Sequence, residues 1–223
     1  MALFEAVFMF LGASVCHQLP ERSYFLGDVQ MPLCARCIGI HFGFLLSVAF
    51  LMLGPKRFMS GLPTTKQLIV LGAIMMFFLI DAGLSYSGMS PSDNLRRTLS
   101  GLALGIPLPF VLIPFVNHLA FPDRKRSRVL ERRSDWAWVA VLYAVGAALI
   151  LSAEESAAIF YVVSALGVAG VLLFYSTGMS LIVLLAAERS PLRTRDKVAI
   201  ATALAIVSLL ALAMVHDTYF PSV

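Results

Sequence analysis

Long apolar runs separated by short polar stretches extend along the whole chain. A helix needs about 20 mostly apolar residues to cross a bilayer, and most of these runs are of that order. The pattern predicts an all-α polytopic bundle of about seven transmembrane helices. The predicted spans are Ala2–Val15, Pro32–Gly54, Gln67–Tyr86, Thr98–Phe121, Trp136–Leu151, Ala157–Ala187 and Val198–His216. No repeat, low-complexity tract or linker interrupts them, so we expect a single integral membrane domain over residues 1–223.

Two of these segments have unusual lengths. Ala2–Val15 is short for a full crossing and has the length of a signal-peptide core. We interpret it as a span, because no Lys or Arg precedes it and because it carries Glu5. The Ala157–Ala187 segment is long, so we expect it to tilt or to extend beyond the hydrocarbon region.

Composition supports a membrane protein and excludes a soluble one. The 223 residues are 59% hydrophobic and only 13% charged, and the mean hydropathy is +0.86. A soluble domain of this size needs a more polar exterior to stay dissolved. The net charge of +4 and the pI near 9.1 are compatible with nucleic-acid binding. Basic cytoplasmic loops explain them more simply, so we expect membrane lipid and no nucleic acid as surroundings.

The basic residues predict the orientation of the helices. Thirteen of the 17 lie in alternate loops, which must share one side of the membrane. They are Lys56, Arg57, Lys66, Arg124, Lys125, Arg126, Arg128, Arg132, Arg133, Arg189, Arg193, Arg195 and Lys197. By the positive-inside rule this side is the cytoplasm. We therefore expect an inner N-terminus and an outer C-terminus, in the plasma (cytoplasmic) membrane of a bacterial or archaeal type of cell.

The four other basic residues, Arg22, Arg36, Arg96 and Arg97, fall on the outer side. The topology gives cations no reason to be there, and every cysteine shares that side. We therefore place the chemistry of the protein at its outer face.

A cysteine and histidine constellation supports this placement. Cys16 and His17 close the first predicted span, and Cys34, Cys37 and His41 lie near the start of the second. If a helix begins at Pro32, Cys34, Cys37 and His41 share a sector of about 60° on one face. Thiolates and imidazoles form the Cys₃His and Cys₂His₂ shells of zinc, so the sequence predicts a zinc site, with copper or iron as chemical alternatives.

Other interpretations of the same residues stay open. The Cys-x-x-Cys pair suits thiol redox chemistry or a structural disulfide, and cysteine is also common in apolar helices. A single histidine such as His41 can instead bond to a backbone carbonyl of its own helix.

Polar residues of the third and fourth spans complete the candidate site. An ionisable group as deep as Asp81 is costly in a bilayer and usually faces a partner or a cavity. We expect it to meet Arg96, Arg97 or a metal-bound water, or else to reach the outer interface. Asn94 lies beside these arginines. Two stripes of small residues, Gly39/Gly43 and Gly101/Gly105, predict close packing of the second and fourth helices, and Pro107, Pro109 and Pro114 should bend the fourth. His216 and Asp217 end the last span and are either an orienting pair or an exposed helix end.

These motifs resemble a known family. The runs CHQLPERSYF and PLCARCIGIHFG, followed by SDNLRRTLSGLALG, are similar to the membrane proteins called domain of unknown function 2085. The resemblance covers about the first half of the chain, and His41 stands where that pattern has an aromatic residue. It implies a membrane protein and supplies no activity. A looser likeness, of arrangement alone, is to bacterial quinone-coupled disulfide-forming membrane proteins.

The sequence therefore predicts an outward-facing metal site, with zinc held by Cys16, His17, Cys34, Cys37 and His41. A basic rim formed by Arg22, Arg36, Arg96 and Arg97, with Asn94 also binding substrate, would suit an anionic group such as a lipid phosphate. In an enzyme, Asp81 would act as the base for a metal-bound water, and Arg97 would be required for activity. The alternatives are a thiol-disulfide oxidoreductase that uses a quinone, and a non-enzymatic metal carrier or sensor.

Overall fold

In the computed structural model, almost all of the apolar runs are helical. The structure describes residues 2–54, 56–122, 127–188 and 190–219, with side chains from residue 5 onward. The all-α class is confirmed. The α-helices are α1 (Ala2–Ala13), α2 (Ala35–Leu53), α3 (Thr65–Tyr86), α4 (Asn94–Gly105), α5 (Pro109–Ala120), α6 (Arg133–Leu151), α7 (Ala157–Ala186) and α8 (Thr194–Tyr219). A small antiparallel hairpin, β1 (Phe25–Leu26) and β2 (Val29–Gln30), joins α1 to α2.

Within the described residues, six segments are long and apolar enough to cross a membrane: α2, α3, α4 together with α5, α6 with the 3₁₀ turn Ala153–Glu155, α7 and α8. The first segment is different. With 12 residues, α1 is about 18 Å long, whereas the hydrocarbon core is roughly 30 Å thick. The interpretation of Ala2–Val15 as a span stays a prediction. The inner and outer positions of the termini stay predictions.

Several helices begin earlier than hydropathy predicts, because their first turns are polar and capped. α3 begins at Thr65, where Thr64 and Gln67 form a reciprocal capping box. α6 begins at Arg133 rather than Trp136, with Asp135 accepting from the Arg132 N–H at 2.8 Å. The predicted bend of the fourth span lies between α4 and α5, where Pro109 opens the second half. Hydropathy detects the hydrocarbon-facing part of a helix and misses such polar ends.

α2 lies at the centre of the bundle and α3 at its edge. Within their apolar spans, 56% of the α2 residues are buried, compared with 11% in α3. α2 packs on α4, α6 and α7, and its closest partner is α4. A Cβ added to Gly39 would lie 2.6 Å from the Thr98 carbonyl oxygen, and one added to Gly101 would collide with that of Arg36. The predicted packing of the two glycine stripes is confirmed, and it brings the start of α2 against the start of α4.

The opposite end of α2 is held by loop contacts. Asn117 Nδ2 donates to the carbonyl oxygens of Arg57 at 3.2 Å and Met59 at 3.0 Å. Lys56 forms an ion pair with Asp135. Four basic residues that predicted the cytoplasmic side, Arg124, Lys125, Arg126 and Arg189, lie outside the described residues.

Candidate metal centre

Three cysteines meet where α1 ends and α2 begins. The sulfurs of Cys16, Cys34 and Cys37 all lie within 4.8 Å of one another, and all three are free thiols. Zinc–sulfur bonds of about 2.3 Å in a tetrahedron place sulfurs about 3.8 Å apart. A contraction of at most about an ångström, well within side-chain movement, would bring the cluster to that geometry.

Gln18 fixes the segment that delivers Cys16 to this cluster. Its backbone has a φ of +52°, which reverses the chain immediately after α1. Its side-chain Nε2 donates to the carbonyl oxygens of Met9 at 2.7 Å and Pro32 at 2.9 Å. Gly12 packs against the same Pro32 carbonyl, where any larger side chain would collide. Gln18 thus joins the end of α1 to the start of α2.

Cys34 lies at the N-cap of α2, not inside its first turn. The helix begins at Ala35, so the predicted start at Pro32 is wrong: the chain bends at residues 32–33, and Cys34 is extended at φ −63° and ψ 161°. Cys37 is the third helical residue, and its sulfur shares the helix N-terminus with that of Cys34. Backbone N–H groups at a helix N-terminus favour negative charge, as a thiolate requires.

Hydrogen bonds to sulfur set the protonation of the cluster. The S–H groups of Cys16 and Cys37, followed by the N–H groups of Cys37 and Arg36, lower the pKa of Cys34 far below its usual range although burial opposes this. Donation to Cys34 raises the pKa of Cys16 to about 12, and burial adds to this effect. Cys16 Sγ also accepts from the N–H groups of Gln18 at 3.4 Å and Cys34 at 3.2 Å. These hydrogen bonds favour the thiolate form of Cys34 and the thiol form of Cys16.

The histidines are placed less favourably than the sequence suggested. Among the described residues, the group of ligand atoms within 4.8 Å contains the three sulfurs and neither His17 nor His41. His41 Nδ1 lies 2.9 Å from the Cys37 carbonyl oxygen of its own helix, and its ring meets that of Phe174 edge-on. The His17 ring lies beside that of His216, with centroids 6.3 Å apart. Ligation by either histidine stays a prediction.

Asp81 is completely buried and binds two arginines. Arg36 Nη2 and Arg96 Nε each lie 2.6 Å from one of its oxygens. Ser92 and Ser100 donate their hydroxyl groups to the same carboxylate, at 3.1 Å and 2.8 Å. The contact with Arg96 was predicted, whereas those with Arg36 and the serines were missed. The network joins α2, α3 and α4 directly beneath the cysteines.

Arg22 and Arg97 are the other two arginines at this end of the bundle. Arg22 Nε is 3.6 Å from the Glu21 carboxylate. The charge of Arg97 interacts with those of Arg22, Arg36 and Cys34. Within the described part of the chain, the Nε atoms of Arg22, Arg36 and Arg97 are buried without a hydrogen-bond partner. Three of the four predicted rim arginines therefore have a donor to spare beside the sulfurs.

The hairpin is fastened to α4 around these arginines. Asn94 Nδ2 donates to the Ser23 carbonyl oxygen at 3.1 Å. The Tyr24 hydroxyl lies 2.9 Å from that of Thr98 and 3.2 Å from the Asn94 carbonyl oxygen. On its far side, the Phe25 N–H donates to Glu154 at 3.1 Å. The hairpin is thereby held as a cap over the cysteine end of the bundle.

Comparison with known proteins identifies one matching family and two similar archaeal proteins. Residues 16–111 match the family described as predicted membrane protein (DUF2085). An uncharacterised protein of Methanocaldococcus jannaschii is 30% identical over 111 residues, which are 50% of this chain and 69% of that protein. An uncharacterised protein of Methanothermobacter thermautotrophicus is 32% identical over 105 residues, 47% of this chain and 89% of that protein. The chain belongs to the DUF2085 family. No solved structure matches it.

The part of the chain that matches DUF2085 contains the whole candidate site. It runs from Cys16 through the hairpin, α2, α3 and α4 to the start of α5. The cysteine cluster, the Asp81 network and the arginines Arg22, Arg36, Arg96 and Arg97 all fall inside it. Helices α6–α8 lie outside the matched part and pack around it. The resemblance predicted from the motifs is confirmed.

Proposed function

We propose that this DUF2085 protein is a membrane metalloprotein that binds zinc through Cys16, Cys34 and Cys37 at the outer end of its helix bundle. One observation carries the proposal: three free sulfurs, two of them 18 and 21 residues distant in sequence from the first, lie within 4.8 Å of one another. Hydrophobic packing alone gives no reason for three thiols to converge. Soft thiolate ligands favour zinc over magnesium or calcium.

Backbone donors support binding of a cation in this place. Cys16 Sγ accepts two backbone N–H groups, and such hydrogen bonds orient metal-bound sulfur and stabilise its negative charge. The thiolate form of Cys34 and the thiol form of Cys16 are favoured, so a divalent cation would replace protons and be bound by thiolates. Gln18 holds the geometry from outside the ligand set, as residues around metal sites do.

Three protein ligands leave one position of a tetrahedron for a further ligand. Catalytic zinc sites have three protein ligands and a water or substrate molecule as the fourth ligand. In structural sites, a fourth residue completes the tetrahedron. His17 is the candidate for closing the site, because it follows Cys16 directly. If His17 does not bind, the fourth position is available to an anionic substrate at the arginines, and the protein is an enzyme or an exchanging carrier.

The surroundings of Asp81 support a positioning role. Four donors occupy its two oxygens, so little capacity remains to accept a proton from water. In our proposal it holds Arg36 and Arg96 in place beside the site. This replaces the base role that its depth in the third span suggested.

A second candidate function rests on the lowered pKa of Cys34. A thiolate at a helix N-terminus next to two thiols suits disulfide exchange. The Cys34 thiolate and one neighbouring thiol would join in a disulfide and release two electrons and one proton, and a membrane quinone would accept these with one further proton from water to become a quinol. This alternative needs no metal.

Elemental analysis of the detergent-purified protein separates the two functions. We expect about one zinc ion per chain, at least tenfold less in Cys34→Ser, and thiols that react with a maleimide only after chelation. His118→Ala is the matched control for substitution as such, because His118 lies in the last turn of α5, at the opposite end of the bundle. A metal-free wild-type protein with a reducible disulfide would overturn the zinc proposal and favour redox chemistry.

A further inference from the structure

Buried arginine nitrogens without an acceptor are the least explained feature of the outer end. Among the described residues, Nε of Arg22, Arg36 and Arg97 is in this state, and so is the acceptor Oδ1 of Asn94. A buried donor left unpaired typically costs about 1–3 kcal/mol, and more when it is charged. Three such donors close to one another indicate a ligand that supplies oxygen atoms.

The charges around these donors do not balance. Arg36 and Arg96 share the single carboxylate of Asp81. Arg22 is 3.6 Å from Glu21, which is mostly exposed to solvent. Within the described part of the chain, Arg97 forms no direct ion pair, although its charge lies close enough to interact with those of Arg22, Arg36, Cys34 and Asp81. An anion at this place would relieve mutual repulsion as well as accept hydrogen bonds.

Arg96 does not belong to the group. Its Nε binds Asp81, and its Nη1 donates to the Ser90 hydroxyl at 2.8 Å and the Pro91 carbonyl oxygen at 3.3 Å. The rim predicted from the sequence therefore divides into one arginine with protein partners and three with spare donors.

We propose that Arg22, Arg36 and Arg97 bind a phosphate group immediately beside the cysteine cluster, with Asn94 accepting a hydrogen bond from a hydroxyl of the same ligand. This rests on the proposed function only in that the phosphate would lie next to the zinc position. Guanidinium groups match phosphate oxygens in planar, charge-assisted pairs. Phosphate offers enough oxygen atoms for three guanidinium groups, whereas a carboxylate offers only two. The phosphate could belong to a lipid headgroup of the outer leaflet or to a free phosphate compound.

A rival account assigns Arg97 to the thiolates. Its charge interacts favourably with that of Cys34, so it could serve to neutralise a negative cysteine cluster. The two accounts differ in what the loss of Arg97 changes: the affinity for phosphate or the affinity for metal.

The test uses the purified wild-type protein and Arg97→Gln in lipid nanodiscs. The first arm titrates inorganic phosphate into phosphatidylcholine nanodiscs, and the second compares discs with and without phosphatidic acid. Protection of the protein against thermal unfolding is measured in both arms, and zinc content is measured in every sample. Arg195→Gln is the matched control, since the Arg195 side chain is 76% exposed and its partner among the described residues is Asp196 on its own helix.

We expect phosphate or phosphatidic acid to stabilise the wild-type and Arg195→Gln proteins. Arg97→Gln should need at least tenfold more ligand for the same shift and keep its zinc. A response in the second arm alone would assign the phosphate to a lipid, and one in the first arm would include free compounds. If Arg97→Gln does not fold, Arg22→Gln in the hairpin connection replaces it, because its side chain is 35% exposed.

Equal ligand responses in wild type and variant would overturn the phosphate site. Loss of zinc from Arg97→Gln with an unchanged phosphate response would also overturn it, in favour of the neutralising role. A wild-type protein without zinc that still binds phosphate through Arg97 would refute the zinc proposal and leave this one standing.

Discussion

The two ends of α2 hold buried carboxylates against cations in different ways. At its start, Arg36 reaches Asp81, and a second arginine, Arg96, binds the same carboxylate. Just after its end, Lys56 pairs with Asp135, one cation to one anion. Lys56 also donates to the Val129 carbonyl oxygen, and Asp135 accepts from the Arg132 N–H.

The two ends differ in the charged and polar groups that remain without a partner among the described residues. Both members of the Lys56–Asp135 pair find further partners in the backbone. The Asp81 end leaves an excess of positive charge, three arginine donors without acceptors and three free sulfurs. We conclude that the first pair serves the fold, whereas the second also serves a ligand. The following predictions test this contrast.

The largest effect should come from Cys34→Ser. We expect its zinc affinity to fall at least a thousandfold, or about 4 kcal/mol, because one of three thiolate ligands is lost. Chelation should lower the thermal unfolding temperature of the wild-type protein and leave that of Cys34→Ser unchanged, since binding to the folded state alone stabilises it. Asp135→Asn is the control at the other end and should respond to chelation as the wild type does. Equal responses of wild type and Cys34→Ser would mean that the sulfurs bind no metal.

Removing each carboxylate should affect stability unequally. Asp81→Asn leaves two buried arginines with an uncharged partner, and we expect a loss of about 3–5 kcal/mol in the free energy of unfolding. Asp135→Asn leaves one lysine that keeps the Val129 carbonyl oxygen, so we expect about 1–3 kcal/mol. Unfolding in mixed micelles with increasing denaturing detergent measures both. Equal losses would contradict this contrast, because the Asp81 network would then contribute no more to the free energy of unfolding than the single Lys56–Asp135 ion pair.

The sequence predicted some features of this site and missed others, because each sequence pattern reports a different structural property. The Gly39/Gly43 and Gly101/Gly105 stripes were sufficient to pair α2 with α4, because only glycine permits backbones to approach so closely. The convergence of the cysteines followed from their common level in the membrane. The Arg36–Asp81 pair was missed, since 45 residues separate the two and hydropathy fixes neither the rotation nor the depth of neighbouring helices.

The remaining misses have local causes. Gln18 fell within the recognised motif, but a left-handed backbone at glutamine has no signature in composition or periodicity. The start of α2 was placed at Pro32 because proline suits a first helical turn. The helix begins at Ala35 instead, and the Pro32 carbonyl oxygen accepts from Gln18. His41 was grouped with the cysteines by its angle on the helix, and its ligation stays a prediction.

The third prediction concerns protons. The pKa of Cys34 lies far below its usual range, so this sulfur is already a thiolate at neutral pH, whereas the pKa of Cys16 is raised to about 12. Zinc must therefore displace the protons of the other two thiols, and its binding should release about two of them at pH 7. The affinity for zinc should accordingly rise with pH through the neutral range. Calorimetry in buffers of different ionisation enthalpy counts the protons. Release of about three protons would mean that Cys34 is protonated before zinc binds and that the hydrogen bonds to its sulfur do not favour the thiolate.

The smallest effect should come from His17→Ala. This variant distinguishes a zinc site with four protein ligands from one whose fourth position is open. If His17 completes the zinc shell, its loss should weaken zinc binding by roughly 10- to 100-fold, or about 1.4–2.7 kcal/mol. Its position directly after Cys16 favours this, whereas its ring beside that of His216 requires a rotation first. Competition with a coloured chelator measures the affinity, and His118→Ala again controls for substitution. An affinity equal to that of the wild type would remove His17 from the shell and leave the fourth position to the phosphate or to water. Zinc would then lie beside the anion site proposed at the start of α2, whereas the lysine and aspartate at the other end of α2 pair with each other.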